Sequence, residues 1–169
     1  ALISATTAFM FWFYQSLLGV MGVDIKYNGF VAAGFNLFGM ILLLNIKRIE
    51  KLFGMKNTLF YSALIPGLFF AGLFIFRNIY FVLAAIFIII GLKLMRAPLL
   101  SDFMNRHIES RNRATVLSGV SMIEKIVIMI LYPIVGLLAD YSLWTTFLFL
   151  GIVTITISLF NRIKAEHIE

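Results

Sequence analysis

The stretch that decides the fold is residues 118–131, SGVSMIEKIVIMIL, at the centre of the longer apolar run Thr115–Leu138, TVLSGVSMIEKIVIMILYPIVGLL. A bilayer hydrocarbon core about 30 Å thick asks a helix for about 17–25 apolar residues, and this run supplies them. Glu124 and Lys125 nevertheless stand side by side inside it. Its polar members are ordered: Ser118, Ser121, Lys125, Tyr132, Gly136 and Asp140 recur at helical spacing and form one stripe, with Glu124 on its border. Ionisable groups facing lipid are costly, so the stripe is expected to face protein or water. A packing seam of small residues is the plainer alternative.

The rest of the chain agrees. Hydrophobic residues make up 62% of 169 and charged residues 13%, and the mean hydropathy is +1.00, all outside the range of soluble globular domains. The chain opens directly on ALISATTAFMFWFYQSLLGV, which lacks the basic flank and small-residue cleavage site of a secretory signal and reads as a span. Six spans can be drawn, Ile3–Met21, Phe30–Ile46, Leu59–Phe76, Tyr80–Leu100, Thr115–Leu138 and Leu143–Phe160. Their hydrophobicity is continuous and does not alternate, which argues against a β-barrel. Only helices then satisfy the backbone in lipid, and the expected class is an all-α polytopic membrane protein with six transmembrane helices.

Charge divides the connections. NIKRIEKLFGMKN, NRHIESRNR and the tail NRIKAEHIE hold Lys47, Arg48, Lys51, Lys56, Arg106, Arg111, Arg113, Arg162 and Lys164, whereas GVDIKYN, FRNIY and ADYSL hold only Lys26 and Arg77. Excess Lys and Arg marks the cytoplasmic side, so both termini are expected there. The net charge of +6 is thereby accounted for by topology, and no nucleic-acid partner is implied. Cysteine is absent, and the two histidines, His107 and His167, fall in a loop and the tail, so no metal site or cofactor is expected.

Polarity inside the spans is uneven. The third and sixth spans carry no ionisable group apart from Tyr61 and are expected to face lipid or to be structural. The first carries Gln15 and Ser16, the second Asn36, the fourth Lys93 and Arg96, and the fifth Glu124 and Lys125. Counting at 1.5 Å per residue places Glu124 about 24 Å from Asp140, and Lys93 and Arg96 about 22 and 27 Å from Asn78. A charge network of Lys93, Arg96, Glu124 and Lys125 at one level, lining the inner part of a pathway, is the expectation; snorkelling of Lys93 and Arg96 to the headgroups and a structural Glu–Lys pair are the alternatives. Glu124, the one acid well inside a span, is the candidate for coupling to an ion.

Two stretches resemble the C-terminal half of major facilitator superfamily transporters. They are RAPLLSDFMNRHIESRNRATVLSGVSMIEK (96–125) and YPIVGLLADYS (132–142), in which Arg96 and Pro98, then Arg113, Ala114, Thr115 and Ser118, then Pro133, Gly136 and Asp140 match the family's pattern. FWFYQSLLGV, with Trp12 and Gln15, is similar to the start of that half in drug-efflux-like members. The loop EKLFGMKN departs, with Lys51 where the family's loop motif has Asp. The resemblance implies a six-helix half bundle whose first, second, fourth and fifth helices line a cavity. It implies a secondary, efflux-like transporter of small solutes working by alternating access, coupled to protons or sodium, in the plasma membrane, with an N-terminal half outside this sequence. Trp12, Gln15, Asn36, Ser121 and Tyr132 are the candidate cavity lining. The rival classes are an intramembrane enzyme, for which no His-Glu-x-x-His, Gly-x-Ser-x-Gly or paired-aspartate motif is present, and a structural or channel-type six-span protein, for which no filter or ring of like charges is present.

Overall fold

A computed structural model describes the backbone of residues 1–107 and 112–165 and the side chains of 1–105 and 112–160. Seven α-helices and no strand occur among the described residues: α1 Leu2–Val20, α2 Asn28–Leu44, α3 Ile46–Phe53, α4 Met55–Ile75, α5 Ile79–His107, α6 Arg113–Tyr141 and α7 Leu143–Ala165. A 3₁₀ turn, Ile25–Tyr27, leads into α2. The chain is a helical membrane protein. Five segments are long and apolar enough to cross a bilayer: Ile25–Leu44, Met55–Ile75, Ile79–Asn105, Arg113–Tyr141 and Leu143–Phe160.

Helix α1 is the difference from the expected six. At 19 residues it has the length, but Gln15 and the hydroxyls of Ser4, Thr6, Thr7 and Ser16 dilute its apolarity, and it is not among the five. Those hydroxyls are accommodated locally, Thr6 and Thr7 both donating to the Ile3 carbonyl at 3.0 and 2.9 Å. The other difference is α3, an eight-residue helix in what reads as a charged loop.

The tightest seam joins α4 and α7, and backbone forms it. A Cβ added at Gly151 would lie 2.6 Å from the Ala71 nitrogen and 3.0 Å from the Gly67 carbonyl oxygen, so the two helices touch through glycine and alanine. Phe70 and Phe147 stack beside the crossing at 5.9 Å. Deeper along α7, the Thr154 hydroxyl is 2.9 Å from that of Thr6 and ties α7 to α1. The third and sixth spans, expected to be lipid-facing or structural, thus form the most closely packed pair. Helix α5 runs against α1, α2 and α4. It buries Val82, Ala85, Ile86, Ile89 and Ile90 with Phe9, Leu17 and Leu18 of α1 in the common core. Facing helices α2 and α5 interlock, Gly34 receiving Phe87 and Gly91 receiving Phe38.

The packing leaves one side bare. Along α4 and α5, 39% of the residues in the most apolar stretch are buried, against 11% in α2 and 6% in α6. Val135 is the one residue of α6 that is fully buried.

Candidate functional site

The bare side is centred on α1. Phe11, Trp12, Gln15, Ser16 and Gly19 are exposed there at helical spacing, while Phe9, Met10, Tyr14, Leu17 and Leu18 of the same helix are buried. Aromatic contacts flank this face on both edges. Toward α2, the Tyr14 ring meets Phe35 edge-on at 5.3 Å and Phe11 meets the same ring at 6.1 Å. Toward α6, Trp12 lies 5.1 Å from Tyr132, with Phe9 at 6.3 Å behind that ring.

Trp12 is eight residues from the end of α1 at Val20, and Tyr132 nine from the end of α6 at Tyr141. At 1.5 Å per residue both rings sit about 12–14 Å from the same end of the bundle. Two candidate lining residues are therefore brought together. Both remain about half exposed, Trp12 at 48% and Tyr132 at 55%. Gln15 is one turn from Trp12 and spends its amide on the Tyr14 hydroxyl at 3.1 Å. Asn36 is exposed on α2, its amide donating to the Ala32 carbonyl at 2.8 Å. Ser121 is exposed on α6, as are Ser118, Lys125 and Asp140 of the same stripe.

The four charges divide. Lys93 on α5 lies within electrostatic reach of Glu124 and Lys125 on α6, opposed in sign. The described residues form no ion pair among these three. Arg96 turns the other way, into the seam with α4. It is 9% exposed, and one guanidinium nitrogen donates to the Leu59 carbonyl at 2.7 Å and the Ser62 hydroxyl at 2.9 Å. Its Nε has no hydrogen-bond partner. Pro66, one turn on from Ser62, lacks the N–H that would bond the Ser62 carbonyl, so this stretch of α4 is short of backbone donors. Arg96 is thus a clamp between α4 and α5, separate from Lys93 and Glu124.

Sequence reasoning did not single out Phe9, Phe11, Tyr14 or Phe35, the rings that frame the bare face. The spacing of Phe9, Phe11 and Tyr14 along α1 was visible, but their partners, Phe35 on α2 and Tyr132 on α6, were not. A second opening, an apolar cleft of about 510 Å³ lined by Phe30, Val31, Leu83, Ala84 and Phe87, lies between α2 and α5 and includes none of the candidate residues. No group of three or more metal-ligating side chains occurs among the described residues. Arg111 and residues 166–169, with His167, lie outside the described residues.

Comparison of the chain with protein-family models, with curated proteins and with solved structures finds no match.

Proposed function

We propose that the chain is one six-helix half of a secondary transporter that moves small solutes by alternating access, with α1 as the sixth span. One observation carries the reading. Helix α6 presents Ser118, Ser121, Lys125 and Tyr132 on an exposed face of a membrane protein. A lysine facing hydrocarbon costs about 2.5–3.5 kcal/mol even on mild insertion scales, so a second set of helices or a water-filled path is needed there. The mid-membrane pair Trp12 and Tyr132 supplies an aromatic surface for an amphiphilic solute, and Gln15, Asn36 and Ser121 supply polar groups around it.

In this proposal the complementary half covers the bare face and the solute binds between the halves. Glu124 with Lys93 and Lys125 lies on the route toward the basic side and couples movement to protons or sodium. The protein resides in the plasma membrane with the basic connections in the cytoplasm.

The test is uptake of a fluorescent amphiphilic cation into vesicles carrying the native protein, under an imposed proton or sodium gradient. Saturable, gradient-dependent flux that falls at least tenfold in Tyr132→Ala and in Glu124→Gln supports the reading. Gradient-independent flux with single-channel currents in planar bilayers indicates a channel, and turnover of lipid or peptide indicates an enzyme. Either of these outcomes overturns the proposal.

A further inference from the structure

Helix α3, IKRIEKLF, stands outside the transport reading. At about 100° per residue Ile46, Ile49, Leu52 and Phe53 fall on one side and Lys47, Arg48 and Lys51 on the other, with Glu50 at the border beside Ile46. Eight residues are too few to hold a helix alone in water, so something outside the segment holds this one.

Part of the support is at its ends. The Asn45 side chain donates to the Ile41 carbonyl at 2.8 Å and closes α2. The Asn45 carbonyl then accepts from Arg48 and Ile49 and opens α3. Gly54, at φ +76°, ends α3 and turns the chain into α4. The helix is thereby fixed between the ends of two helices long and apolar enough to cross a bilayer.

Protein half-buries Ile46, Ile49 and Glu50 and leaves the rest of the helix open. Leu52 is 78% and Phe53 54% exposed, and Lys47, Arg48 and Lys51 are all exposed. The apolar side continues into the surfaces of the spans, through Leu44 at the end of α2 and through Phe53, whose ring meets Tyr61 of α4 at 6.2 Å. An exposed apolar strip continuous with lipid-facing surface, backed by three cations, is complementary to one environment: the boundary between acyl chains and anionic headgroups.

The geometry points to α3 as a lipid-recognition helix lying in the membrane interface, with Leu52 and Phe53 in the acyl boundary and Lys47, Arg48 and Lys51 on phosphate-bearing anionic headgroups. This does not depend on the chain being a transporter. The test uses the full chain in nanodiscs of phosphatidylcholine mixed with phosphatidylglycerol, with native mass spectrometry counting each lipid retained. The triple variant Lys47→Gln, Arg48→Gln, Lys51→Gln loses about fivefold or more of the preference for phosphatidylglycerol, that being the weight of about one charge near the surface. Arg77→Gln, which removes a cation from a different connection, leaves it unchanged. A nitroxide at Leu52→Cys, a clean label because the chain has no cysteine, is relaxed by oxygen more than by a water-soluble nickel complex. An unchanged preference in the triple variant, an equal loss in Arg77→Gln, or a water-exposed nitroxide would each overturn the inference.

Discussion

Gly151→Ala tests whether the α4–α7 seam holds the bundle together. The added methyl would sit 2.6 Å from the Ala71 nitrogen, 3.0 Å from the Ala71 Cα and 3.0 Å from the Gly67 carbonyl oxygen, where ordinary contact needs 3.4–4 Å. These are backbone atoms of a helix, so no rotamer change relieves the clash and the helices must separate by about 1 Å along the crossing. Forcing a methyl into a close-packed interior costs about 1–3 kcal/mol, and loosening the stacked Phe70–Phe147 pair adds to this. Gly119→Ala in α6 is the control. Nothing lies within 4 Å of the added methyl, and replacing a mid-helix glycine there is neutral or stabilises by up to about 1 kcal/mol. The assay is unfolding in mixed micelles by increasing dodecyl sulfate, followed by tryptophan fluorescence in a Trp12→Phe background, which leaves Trp144 on α7 as the reporter. Gly151→Ala unfolding at the wild-type detergent fraction, or Gly119→Ala losing as much, would refute the reasoning.

Two further outcomes are expected. Thr154→Val removes the hydroxyl 2.9 Å from Thr6 and costs about 0.6 kcal/mol in the same assay, the average for interhelical hydrogen bonds in membranes; no loss would show that the Leu150 and Ile3 carbonyls satisfy both hydroxyls unaided. The Asp24 carboxyl is held below the ordinary carboxylate range, first by the Lys26 side chain, 2.9 Å away, and then by the Lys26 backbone N–H. A folded-state value below the unfolded one means that its contribution is complete at neutral pH and is lost as pH falls through the folded-state value. Lys26→Gln accordingly raises the Asp24 titration midpoint toward the ordinary range in a carboxyl-carbon NMR titration, and an unmoved midpoint would contradict the assignment.

Much of the fold was legible because membrane spans are written in composition. The first expected span, Ile3–Met21, is within a residue of α1 at each end, and α7 begins at Leu143 as expected. Helix α3 was missed because three basic residues in a short connection read as a loop when the pattern sought is a long apolar run; the spacing of Ile46, Ile49 and Phe53 carried its signal. The lack of ionisable groups in the third and sixth spans left open whether they face lipid or are structural; Gly67, Ala71 and Gly151 were the small residues that close packing requires, and the α4–α7 seam uses them. Counting residues put Lys93, Arg96, Glu124 and Lys125 at one depth. It could not say which neighbour each side chain turns to, and Arg96 found backbone and hydroxyl acceptors on α4. Trp12 and Tyr132 were named separately, and only the crossing of α1 and α6 brings their rings together.

The central claim is that the polar stripe of α6 faces a water path covered by protein. It is tested most directly by placing a single cysteine at Ser121 in this cysteine-free chain and treating intact membranes with a membrane-impermeant, water-soluble thiol reagent. Ile152→Cys, exposed on the surface of α7, is the comparison. The account predicts that the cysteine at 121 is modified while that at 152 is not. Equal inertness of both would place the stripe against lipid and contradict the account.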